Sequence, residues 1–118
     1  MPNRIKNTRV EIRRLSAAEA EVWITAELEA VTAATELRGK LTGPRCPGVT
    51  TVEVAYPLGR LPGSVEAAAN TLTVRALIPE PNLWTRATPF VYDCRLELWQ
   101  NGVLVDQRTQ TVGLKQST

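Results

Sequence analysis

Most of this chain alternates between apolar and polar positions with a period of two, the signature of strands with one buried face. Val10 and Ile12 alternate with Arg9, Glu11 and Arg13. Val22, Ile24, Ala26, Leu28 and Ala30 share one face, opposite Trp23, Thr25, Glu27 and Glu29. Leu37 and Leu41 mark a third strand, Val52 and Val54 a fourth, and Leu72, Val74, Ala76 and Ile78 a fifth. Tyr92, Cys94, Leu96 and Leu98 alternate with Asp93, Arg95, Glu97 and Trp99 in a sixth. Asn101-Gly102 then gives the strongest short-range hairpin signal, because both residues tolerate positive φ, and predicts a seventh strand from about Val103 to Val112.

Turn clusters at Gly43–Gly48, Pro57–Ser64, Pro79–Pro81 and Asn101-Gly102 separate these segments. One stretch carries a competing signal. Ser16-Ala17-Ala18-Glu19 reads as a helix capping box before an Ala- and Glu-rich run. The β-branched residues Val22, Ile24, Thr25, Val31, Thr32 and Thr35, with the unbroken alternation from Val22, decide for strand. About seven short antiparallel strands with turns between them specify an all-β sandwich whose core lies between two sheets.

Composition narrows the picture further. The chain has 118 residues, enough for one core and too few for a barrel enzyme, so it reads as one domain with flexible ends at 1–7 and 115–118. A hydrophobic share of 43% and a charged share of 22% are those of a globular domain. A net charge of +2 gives no reason to expect nucleic acid or an anionic membrane as partner. Five of the first fourteen residues are basic (Arg4, Lys6, Arg9, Arg13, Arg14), but no aromatics interleave with them, which favours a solvated strand edge over a phosphate-binding patch. No window is apolar for the length that spans a bilayer.

The chain contains no histidine. That removes the commonest general base and the usual catalytic triads, and two cysteines alone do not complete a tetrahedral zinc site. No glycine pattern cradles phosphate, so no cofactor is expected. Glu27 with Glu29, and Asp93 with Glu97, share the polar faces of their strands, where carboxylates are solvated rather than held as an acid–base pair. Cys46 and Cys94 read as unpaired thiols, with Cys94 a small core residue. Trp23 and Trp99 stand on the faces assigned to solvent and are the candidate contacts for a sugar ring or a neighbouring domain.

The stretch from Pro81 to Tyr92, Pro-Asn-Leu-Trp-Thr-Arg-Ala-Thr-Pro-Phe-Val-Tyr, is a rigid crossing that the prolines keep from becoming helix. It resembles the Pro-x-Leu-Trp-Ser-Pro-x-x-Pro-x-Leu-Tyr segment of the immunoglobulin-like domain in glycoside hydrolase family 2. Asn101–Asp106 and Val112–Lys115 resemble that family's Asp-Gly-x-x-x-Asp turn and closing Gly-Phe-Arg. Leu83, Trp84, Pro89, Tyr92, Asp106 and Gly113 match the family motif, whereas Arg86, Asn101 and Leu114-Lys115 depart from it. The resemblance implies an immunoglobulin-like β-sandwich with Trp84 in the core and Tyr92 anchoring its strand. It also implies a non-catalytic scaffold that holds a sugar-binding domain against a catalytic barrel, whose two glutamates lie outside this segment. Neighbouring domains of a glycoside hydrolase-like protein are then the expected partners. The alternatives are a freestanding carbohydrate-binding module and a protein-interaction sandwich that adds a partner strand to an open edge.

Overall fold

A computed structural model describes residues 3–60 and 70–115. The strands are β1 (Ile5–Leu15), β2 (Glu19–Leu28), β3 (Thr35–Arg45), β4 (Val54–Pro57), β5 (Gly59–Arg60), β6 (Thr71–Pro79), β7 (Val91–Gln100) and β8 (Val103–Val112). They form two four-stranded sheets, in the orders β1-β2-β6-β5 and β4-β3-β7-β8, with every pairing antiparallel. These are the two sheet orders of an immunoglobulin-like sandwich. No helix occurs among the described residues.

The predicted alternation is the packing rule of the core. Ala20, Val22, Ile24, Ala26 and Leu28 of β2 face inward with Leu72, Val74, Ala76 and Ile78 of β6. Opposite them stand Leu37 and Leu41 of β3 and Tyr92, Cys94, Leu96 and Leu98 of β7. The largest fully buried side chains among the described residues include Tyr92, Ile24 and Leu28, so burial of these two facing layers is the main stabilising term.

Several expectations need correction. The described residues hold eight strands where about seven were expected: β5 is two residues long and shows no periodicity, yet it moves the chain from the second sheet to the first. Leu58 makes that switch, donating its amide to the Gly39 carbonyl and dropping its side chain into the core. Val52 is not in a strand and is 86% exposed, while β4 begins at Val54. The third strand continues through Gly43 and Pro44, read as turn, as far as Arg45. Of the expected flexible ends, residues 1, 2 and 116–118 lie outside the described residues, as does the 61–69 part of the predicted turn after Pro57. Ile5, by contrast, opens β1 and is buried.

The capping-box residues form the β1–β2 turn. Ser16 N–H donates to the Glu19 carbonyl, and Ser16 Oγ accepts from the amides of Ala18 and Glu19 at 3.2 Å. A serine hydroxyl that satisfies the next two or three amides serves a tight turn as well as it serves a helix start. The competing signal was therefore real chemistry in another setting.

Candidate functional site

The crossing from β6 to β7 gathers most of the motif residues at one end of the sandwich. Tyr92 is buried and its hydroxyl accepts the Asn82 amide at 3.0 Å, tying β7 back to the start of the crossing. Burial pushes the Tyr92 hydroxyl pKa above its ordinary value, against the opposing pull of the Asn82 amide. The Tyr56 ring meets Tyr92 edge-on, with centroids 6.3 Å apart. Thr85 and Thr88 close the tip: Thr88 N–H donates to Thr85 Oγ1 and Thr85 N–H to the Thr88 carbonyl. This leaves Trp84 paired with Pro89 across the turn.

Trp84 does not lie in the core, as the resemblance implied; it is half-buried at the sandwich end. Its amide donates to the Leu114 carbonyl at 3.0 Å, and its ring lies across Gly113, where an added Cβ would approach Cδ1 to 3.1 Å. The Lys115 ammonium stands 4.3 Å from the ring centroid. The ring is thus held between the glycine and the lysine. Leu83, beside it, packs against the core. Asp106 belongs elsewhere: near the opposite end its Oδ2 accepts the Ile5 amide at 2.8 Å and pins the start of β1.

Trp23 and Trp99 are half-buried on the outer faces of different sheets, so they form no joint platform. Their surroundings match. Trp23 donates its indole N–H to Glu21 and carries the Arg13 guanidinium 4.2 Å from its ring centroid. Trp99 donates to Glu97 at 3.2 Å and carries Arg38 at 4.3 Å. A guanidinium over the ring is itself a favourable contact, worth about 0.5–1 kcal/mol at exposed sites, and it occupies a ring face on which a pyranose would stack. From the sequence Arg13 was read only as part of a solvated basic strand edge, and Arg38 was not singled out, although Glu36 and Arg38 share one strand face with i, i+2 spacing.

The carboxylates lie outside and are paired with bases. Glu27 pairs with Lys6, Glu29 with Arg4, Asp93 with Arg45 and Glu97 with Arg95. The Arg13 and Arg38 guanidiniums hold the Glu11 and Glu36 carboxyls below their ordinary pKa by hydrogen bonding. Such groups are ionised acceptors, unlike the protonated carboxyl that glycoside cleavage needs.

Both cysteines are free and buried. Burial pushes the Cys94 thiol pKa up to about 11, with the Gln110 side chain pulling weakly the other way. Since the thiolate is the reactive form, burial of this kind disfavours reaction at Cys94 in the folded protein. Alkylation with iodoacetamide at pH 8, read by peptide mass spectrometry, is expected to leave Cys94 unmodified until denaturant is added. Labelling in the native state would place the thiol in reach of solvent.

These features define an immunoglobulin-like sandwich most of whose signature residues clamp one end and whose outer faces carry several carboxylates paired with bases. The family model for glycosyl hydrolases family 2 matches residues 3–115, and the chain belongs to that family. Solved structures share the fold. A β-glucuronidase of Bifidobacterium dentium, complexed with coumarin-3-O-glucuronide, superposes with a TM-score of 0.66 at 18% identity. That match covers 96% of this chain and 18% of the enzyme. A family 2 member from Bacteroides cellulosilyticus gives 0.62 at 18% identity, covering 96% of this chain and 15% of that one. A β-glycosidase from Bacteroides vulgatus gives 0.59 at 17%, covering 95% and 13%. The chain therefore corresponds to a small part of each of these enzymes. No curated protein matches it in sequence.

Proposed function

We propose that this domain is a non-catalytic scaffold of a larger family 2 glycosidase, holding a sugar-binding domain at a fixed angle to a catalytic barrel. The observation that carries this reading is the mismatch of coverage: nearly the whole chain superposes on enzymes of which it makes up 18% or less. The surface chemistry agrees with it. Among the described residues, the carboxylates singled out from the sequence are each paired with a base on an outer face, Asp93 with Arg45, Glu97 with Arg95 and Glu29 with Arg4, rather than shielded as an acid–base pair. The two exposed-face tryptophans carry guanidiniums where a sugar would stack.

Purified protein is expected to hydrolyse no chromogenic β-galactoside, β-glucuronide or β-mannoside above background. Intrinsic tryptophan fluorescence is expected to stay constant when the corresponding sugars are added to about 1 mM, a range that would reveal binding of only about −4 kcal/mol. Turnover that disappears on mutating a single glutamate would overturn the scaffold reading. Saturable quenching lost in Trp23→Ala or Trp99→Ala would replace it with a carbohydrate-binding module. The reading frame around this segment tests the architecture directly: a barrel encoded after it supports the scaffold, and no further domain on either side rules it out.

A further inference from the structure

Asn101-Gly102 makes up the whole loop of the β7–β8 hairpin, flanked by the Gln100–Val103 pair. Both residues stand at positive φ, 54° for Asn101 and 75° for Gly102, as a two-residue loop of this kind requires. Both are exposed. The Asn101 backbone is held, its N–H donating to the Ala34 carbonyl at 3.1 Å, but its side chain hydrogen-bonds to nothing among the described residues. The Gly102 amide has no acceptor among them either, and a Cβ built on Gly102 would meet nothing within 4 Å. A free carboxamide therefore lies beside a free, uncrowded amide nitrogen.

The other four asparagines lack this combination. Asn3 bonds the Ala30 carbonyl and amide, Asn7 Oδ1 accepts the Thr8 amide, and Asn70 donates to the Glu29 carbonyl. These three and Asn82 precede Arg4, Thr8, Thr71 and Leu83, each of which carries a Cβ beside the amide nitrogen.

We propose that Asn101 is a site of spontaneous covalent modification, converting through a cyclic succinimide to isoaspartate and aspartate. Water or hydroxide takes the Gly102 amide proton, and that nitrogen attacks Asn101 Cγ. The new N–Cγ bond forms, the bond from Cγ to the side-chain nitrogen breaks, and ammonia leaves with a proton from solvent. One water then opens the ring. Attack at Cγ gives aspartate; attack at the Asn101 backbone carbonyl gives isoaspartate, in which the chain runs through Cβ and Cγ. Nothing is oxidised or reduced. Aspartate tolerates positive φ and leaves the turn as it is. Isoaspartate adds a methylene to a loop whose length sets the strand register, so it loosens the Gln100–Val103 and Trp99–Leu104 pairs. Either carboxylate borders the same hollow as Arg60, which makes no ion pair among the described residues. This chemistry is independent of the scaffold reading.

Incubation of the whole chain at pH 8, followed by peptide mapping over time, tests it. The Asn101 peptide is expected to lose its side-chain amide first among the asparagine peptides. It should split into two products of equal mass, only one of them cut by an endoproteinase that recognises aspartate. Gly102→Ala, which crowds the attacking nitrogen, should slow the loss about tenfold. Amide exchange at Gln100 and Val103 should quicken in the isoaspartate fraction and stay unchanged in Asn101→Asp, which is the other product made directly. The chain unfolded in urea gives the rate of the same dipeptide without the hairpin. An Asn101 that stays intact in the folded chain while the unfolded chain converts overturns the proposal. So does aspartate formed alone, or a rate indifferent to Gly102→Ala, because either means direct hydrolysis by water. Should Gly102→Ala fail to fold, the pair of products decides. Isoaspartate that leaves the Gln100 and Val103 amides as protected as before overturns the loosening of the hairpin.

Discussion

Gly39→Ala is expected to lower the urea midpoint sharply, at a cost of about 3 kcal/mol, the upper end of what overpacking a core does. Gly39 faces inward on β3, where the Leu58 side chain drops in as the chain changes sheets. A Cβ at this position would overlap the Arg95 carbonyl oxygen of β7 and stand 2.9 Å from Leu58 Cδ1. The leucine can turn aside, but the carbonyl belongs to the β3–β7 ladder and cannot move without breaking it. Gly59→Ala is the matched control. Its Cβ would meet nothing nearer than the Arg75 carbonyl at 3.9 Å, so its midpoint should stay within about 0.5 kcal/mol of wild type. Equal effects at the two sites would mean that the close approach at Gly39 is not what fixes the sheet switch.

Removing Tyr92 should be at least as damaging, and the size of the replacement separates its two contributions. Tyr92→Ala empties a fully buried position beside Tyr56 and should cost about 3–5 kcal/mol, as truncation of buried aromatics generally does. Tyr92→Phe keeps the ring and leaves only the Asn82 amide without its acceptor, a loss of about 1 kcal/mol. Against a total stability of about 5–15 kcal/mol, the first change threatens the fold and the second does not. A phenylalanine variant as unstable as the alanine one would show that the hydroxyl bond, rather than packing, anchors the crossing. Chemical denaturation of the two variants side by side resolves this.

The candidate site was legible in the sequence to an uneven degree. Tyr92 could be placed from its motif and from its position on an inward-facing register, and both point the same way. Trp84 could not, because the motif specifies that it packs but not against what. Only the return of Gly113 and Lys115 to the crossing shows that the ring is held at the end of the sandwich. Trp23 and Trp99 were correctly assigned to outward faces by alternation. Their covering arginines come from neighbouring strands for Trp23 and Trp99 alike, β1 over β2 and β3 over β7. Gly39 carried a weaker signal that was available, since a glycine inside an alternating strand often marks a close backbone approach.

By itself the sequence determined that the chain is all β, which face of each long strand is buried, where the last hairpin turns, and which family motif it carries. All of these are written in local windows, where a two-residue period or a turn dipeptide has one physical outcome. Tertiary structure alone decided the two-residue β5, the drop of Leu58 over Gly39, and the turn use of Ser16 in place of a helix cap. It also decided the seam that joins Ile5 to Asp106, residues 101 positions apart. No short window records such a pairing, because its free energy comes from closing a long loop once the two sheets have packed, and it is realised only when the whole core is in place.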